Sequence, residues 1–132
     1  MPRPDSRAIG QTKFVVDETS LGEQLAAWGK VALVETRGRV SGRPARAAVG
    51  FIEESDGSLL IAAGSEDSDW VRNLRAEARC AVTIGERTAA FAALEIDGPE
   101  RSRALAELVL KYGTPAERLG HGPVFRLTAV EA

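Results

Sequence analysis

Between Thr36 and Ala47 the chain carries four arginines, Arg37, Arg39, Arg43 and Arg46, and no acid. At the centre of this stretch, Thr36-Arg37-Gly38-Arg39-Val40-Ser41-Gly42-Arg43-Pro44 falls between two strand-like runs. Two glycines let a backbone turn tightly and aim its N–H groups at an anion, while Ser41 adds a hydroxyl and Arg39 and Arg43 add charged, fork-shaped donors. A phosphate group fits that set. A solvated basic hairpin turn fits it too, and spacing alone leaves both readings open.

A second candidate is Ala63-Gly64-Ser65, which runs into Glu66, Asp67, Ser68, Asp69 and Trp70 where a strand ends and a helix begins. The first turn of a helix presents unpaired N–H groups, and Ser65 can donate to a ligand held there. Three carboxylates crowd the same place. They suit the helix dipole themselves and repel a phosphate, so caps and dipole partners are the competing reading. Asn73 lies inside the same helix, where an amide needs a partner.

With one cysteine and one histidine, the chain has no zinc site, disulfide framework or Cys-x-x-Cys pair of its own, and no metal is expected. His121, in a Gly-His-Gly loop, lacks the companions of a hydrolytic triad. Cys80 sits in an apolar run and reads as a small buried hydrophobe, and Tyr112 as a core residue with a hydrogen-bonded hydroxyl. Seventeen basic against nineteen acidic residues, net −2, is not the footprint of a nucleic-acid binder. Fourteen of the basic residues are Arg, which makes the 36–47 stretch a local cationic patch. No run of 18 apolar residues occurs, so no transmembrane segment is read and a cytoplasmic location is expected.

A length of 132 residues suits one domain that stabilises itself by core burial. Residues 1–11, with two prolines and mixed charge, read as a flexible arm, and 12–132 as the domain. Ser20 with Glu23 makes a capping-box signature ahead of Leu21, Leu25 and Trp28 at helical spacing, stopped by Gly29. Val31 to Thr36 reads as a buried strand. Arg46 to Glu53 and Leu59 to Ala63 form a hairpin over Asp56-Gly57. Asp67 or Ser68 caps a helix with Trp70, Val71, Leu74 and Ala78 on one face.

Cys80 to Ile84 and Arg87 to Ile96 make a second hairpin. Asp97, Pro99 and Glu100 open a third helix striped by Leu105, Leu108, Val109 and Tyr112 and ending by Gly113. Val124 to Val130 alternates, with Phe125, Leu127 and Ala129 on the buried side. About six strands linked by short turns predict a mainly β, α+β fold: an antiparallel barrel with three short helices.

The segments TRGRVSGRPARAAVGF, IAAGS, DWVRNLRAEARCAVTIGERT and GPVFRLT resemble the deazaflavin (coenzyme F420)-dependent nitroreductase family of actinobacteria, in the same order from about Val31 to Thr128. The resemblance implies a split β-barrel related to the FMN-binding barrels. It further implies hydride transfer from reduced F420 to a small lipophilic acceptor such as a quinone or nitro compound, in a monomer or homodimer. By position it makes Arg39, Val40, Ser41, Gly42 and Arg43 the turn for the cofactor's phosphate and polyglutamate side, and Ser65 a phosphate contact. Trp70 and Asn73 fall in the family's helix motif beside the ring, and Ala62, Ala63 and Gly64 line the pocket with backbone. FMN in the same site, or a barrel that binds an apolar ligand without catalysis, are the alternatives.

Overall fold

The computed structural model describes residues 18–113 and 122–130. The expected N-terminal arm, the start of order near Thr12, and His121 lie outside the described residues. In chain order the elements are α1 (Glu18–Ala27), β1 (Ala32–Arg37), β2 (Pro44–Val49), β3 (Phe51–Glu53), β4 (Leu59–Ala62), α2 (Asp69–Ala76), β5 (Arg79–Ile84), β6 (Arg87–Ile96), α3 (Gly98–Tyr112) and β7 (Val124–Ala129). The strands form one antiparallel sheet in the order β2-β1-β5-β6-β7-β4-β3.

The two edge strands, β2 and β3, are neighbours in the chain with Gly50 between them, so the sheet must curl round until its edges nearly meet. The expected strand from Arg46 to Glu53 is therefore two strands, and the sheet has seven rather than about six. The physical reason is at Gly50. A Cβ there would lie 2.9 Å from Cε2 of Tyr112, whose ring fills the space beside the break. Tyr112 Oη accepts the Phe51 N–H (3.0 Å) and donates to the Lys30 carbonyl (2.9 Å), which ties the end of α3 to the edge strand β3 and to the connection between α1 and β1.

Period-two alternation builds the interior. Val34, Val82, Phe91, Phe125 and Leu127 point into the barrel with Phe51 and Ile61. β4 is buried at all four positions because it is covered twice: Leu59 and Ile61 face the barrel, while Leu60 and Ala62 face α3, against Ala104 and Leu108. Val124 of β7 belongs to this second layer, and Ala129, expected on the buried side, is exposed. Cys80 is buried, and desolvation pushes its thiol up to about 11, as expected for an inert packing residue.

The helices differ from expectation at their ends. α1 begins at Glu18, so Ser20 lies inside it rather than at its cap, and the chain enters the helix before the capping-box residues. Of its expected stripe, Leu21 and Trp28 are exposed, and Ala26 is the residue buried against the sheet. Ser68 rather than Asp67 is the residue before α2, and that helix stops at Ala76, which leaves Ala78 outside it and exposed. α3 runs from Asp97 to Gly113 at its caps, with Pro99 in its first turn, as the sequence signals.

Candidate functional site

The 38–43 loop is held by its own backbone before any ligand arrives. Gly38 N–H donates to the Arg43 carbonyl and Gly42 N–H to the Gly38 carbonyl, both at 2.8 Å. Ser41 Oγ accepts the Arg43 N–H (3.1 Å). A Cβ on Gly38 would stand 2.8 Å from Ser41 Oγ and 2.9 Å from the Arg43 carbonyl, so the turn closes this tightly only with glycine.

The loop is then anchored to α2. Asn73 Oδ1 accepts both the Arg39 backbone N–H (3.1 Å) and Arg39 Nη1 (2.8 Å), and Asn73 Nδ2 donates to Thr36 Oγ1 (3.0 Å). Asn73 and Thr36 are each only 2% exposed, so this amide and hydroxyl form a buried link between helix and strand. Arg39 also reaches the Asp69 carbonyl and its carboxylate, each at 3.4 Å. Its guanidinium is thereby engaged within the protein. Thr36, the far end of the link, carried no sequence signal beyond its place beside the arginine stretch.

The three carboxylates at the start of α2 are all paired: Glu66 with Arg75 (3.2 Å), Asp67 with Arg72 (2.8 Å) and Asp69 with Arg39 (3.4 Å). Arg75 also holds Glu95 through two of its nitrogens, and that bond, ahead of Glu66, keeps its pKa above the ordinary range. The negative charge expected to oppose an anion is thus largely offset by nearby arginines. Ser65 Oγ accepts the Asp67 N–H (3.0 Å) and keeps its own proton to donate. Ala63 is buried, its N–H bonded to the Pro123 carbonyl (3.0 Å), and a Cβ on Gly122 would overlap its carbonyl. Trp70 is half-buried, its ring 6.0 Å from that of Phe125 at 55°.

The structure brings together the loop residues 39–43 and Asn73. It places Ala63, Gly64 and Ser65 at the opposite end of α2 from an open cleft of about 390 Å³, lined by Arg37 to Gly42 with Ala76 and Glu77. Val40 stands at the loop tip, 91% exposed. Arg37 and Arg43 have no hydrogen-bond or ion-pair partner for their guanidinium groups among the described residues. Free cations, a glycine turn and a serine hydroxyl with a proton to give are the donor set that an elongated anionic cofactor requires. The residues present fit such a group.

An open antiparallel barrel, split between two consecutive strands and edged by a preformed basic loop, is the split-barrel fold of F420-dependent reductases. The family model for F420H2-dependent quinone reductase matches residues 10–119, and the chain belongs to that family. Its cofactor is accordingly coenzyme F420.

Among solved structures, the F420-H2-dependent reductase FDR-A is 25% identical, over 74% of this chain and 93% of that one, with a TM-score of 0.65. HutZ, the heme storage protein from Vibrio cholerae, is 16% identical, over 83% of this chain and 88% of that one, with a TM-score of 0.66. A third structure, described as a domain-swapped dimer, is 22% identical, over 83% of this chain and 95% of that one, with a TM-score of 0.63. These last two likenesses are of fold alone. No curated protein matches the chain. No helix among the described residues is long and apolar enough to cross a membrane.

Proposed function

We propose that this protein is an oxidoreductase that reduces a small lipophilic acceptor, a quinone or nitro compound, at the expense of reduced F420. When bound, the reduced deazaflavin supplies the hydride. The chain's own residues bind and orient. Arg43 and the N–H groups of Val40 and Ser41, which the turn does not use internally, take the cofactor's phosphate side, and Asn73 holds that turn in register through Arg39. Ser65 offers a hydroxyl at the other end of α2, Ala63 and Gly64 offer backbone, and Trp70 offers an aromatic wall.

The observation that carries this reading is the family match across residues 10–119. The non-catalytic apolar-binding alternative gains no support from the barrel interior. It is filled by core side chains, and the cavity at the barrel end lined by Leu59, Val82 and Phe91 has about 60 Å³, well below the volume of a lipid site.

A parallel titration of the purified protein with F420 and FMN, read by fluorescence or calorimetry, tests the reading. F420 is expected to bind at micromolar affinity or tighter, and FMN more weakly. Reduction of quinones and nitroaromatics by the F420-loaded protein follows as the second step. Absence of binding by both cofactors would sink the proposal.

A further inference from the structure

β1 and β5 run antiparallel with Thr36 opposite Cys80. Both of these side chains turn into the barrel, so the next residue of each strand turns outward, and the register, whose last pair is Thr36 with Cys80, brings Arg37 opposite Arg79 when it is continued by one position. Two cations directly opposite one another on paired strands repel. Elsewhere on this face the chain offsets its arginines: Arg46 is held between Glu35 (3.1 Å) and Glu23 (3.3 Å). Arg37 and Arg79 are exposed, and neither guanidinium has a hydrogen bond or ion pair among the described residues. Together they border a cleft of about 260 Å³ floored by the small side chains Ala81 and Ala90. The carboxylate bordering it, Glu35, is committed to Arg46. Arg37 and Gly42 border both this cleft and the loop cleft described above.

We propose that Arg37 and Arg79 form an anion subsite, continuous with the 38–43 loop, that takes a carboxylate or phosphate group. An anion seated between them turns a repulsive cross-strand pair into two charge-assisted contacts. Two sources supply that chemistry: a carboxylate of the cofactor's glutamate tail, which rests on the F420 reading, or an independent phosphate ion. Arg79 lies outside the loop motif and more than thirty residues beyond it in the chain, which is why only the strand register reveals it.

Charge reversal at one member separates binding from folding, because Arg79→Glu removes the subsite and at the same time replaces repulsion by attraction. Thermal midpoints are measured in chloride and in phosphate at equal ionic strength for the wild type, Arg79→Glu, and Arg87→Glu as a charge-matched control beyond the far turn of β5. Phosphate is expected to raise the midpoint of the wild type and of Arg87→Glu. Arg79→Glu is expected to lose that rise while melting in chloride no lower than the wild type.

Binding of F420 is then compared with binding of the ring-and-ribityl fragment that lacks phosphate and glutamates. A loss of about tenfold or more for F420 with the fragment unchanged identifies the cofactor tail as occupant. A lost phosphate response with F420 affinity unchanged identifies an independent ion. An Arg79→Glu protein that keeps both the phosphate response and the F420 affinity overturns the subsite, as does a control that loses the response equally. A wild type that responds to phosphate but does not bind F420 leaves the subsite standing and removes the F420 reading.

Discussion

Asn73 Oδ1 takes two hydrogen bonds from a single residue, Arg39, one from its backbone and one from its guanidinium. The amide thus fixes the path of the basic loop as well as the direction of its second arginine. The cost of ordering both is met within the fold, so a ligand meets a loop already in place.

Replacing Asn73 by Ala leaves Thr36 Oγ1 and the Arg39 N–H without their partner in a buried setting. The expected loss is about 1–3 kcal/mol of stability, read from urea denaturation, together with faster amide exchange through residues 39–43. Unchanged exchange in the loop would show that the Gly38–Arg43 backbone bonds hold it unaided.

The two loop arginines separate by role. Arg43→Ala is expected to weaken F420 binding by about 1.5–3 kcal/mol with little change in stability, since its guanidinium makes no hydrogen bond or ion pair among the described residues. Arg39→Ala is expected to lower stability as well, because its bonds to Asn73 and Asp69 are internal. Ser65→Ala is expected to cost about 1 kcal/mol of affinity. Calorimetric titration beside thermal melting distinguishes the three, and equal behaviour of Arg39→Ala and Arg43→Ala would contradict this division.

Gly50→Ala forces the Tyr112 ring away from the split and strains the hydroxyl's bonds to Phe51 and Lys30. Overpacking of this kind costs about 1–3 kcal/mol. Tyr112→Phe, which keeps the ring and loses the hydroxyl, is expected to cost about 1 kcal/mol. A double-mutant cycle on the pair should show coupling, and strict additivity would mean the two do not share the contact.

Asp56 closes the β3–β4 turn by accepting the Ser58 hydroxyl (2.6 Å) and N–H (2.9 Å), and these bonds, the hydroxyl first, hold its carboxyl below the ordinary 3.8. A depressed folded pKa contributes stability that is fully present above the unfolded value and is lost as pH falls through the folded one. Denaturation of wild type and Asp56→Asn is therefore expected to differ near neutrality and to converge in acid below about pH 3.8. A difference that persists in acid would assign the effect to something other than the carboxylate.

The hairpins and the loop were legible in the chain because their signals are local. Asp56-Gly57, the alternation of β5 and β6, and the caps of α3 act within a few residues, where steric and hydrogen-bond preferences dominate. The arginine-rich turn and the family resemblance were equally plain in the order of residues. The break of the long strand at Gly50 was not, because it depends on a ring 62 positions away in the chain.

Sequence by itself thus determined most of the strands, the antiparallel barrel and the loop donors available to a cofactor. What the donors are used for was decided by contacts between residues far apart in the chain: Arg39 with Asn73 and Asn73 with Thr36, 34 and 37 positions apart, and Arg37 beside Arg79 through the β1–β5 register. Local preference assigns a residue its conformation. Only packing of α2 against β1 settles which arginine is consumed as a structural tie and which keeps its charge for a ligand, because a cation's partner is set by distance in space.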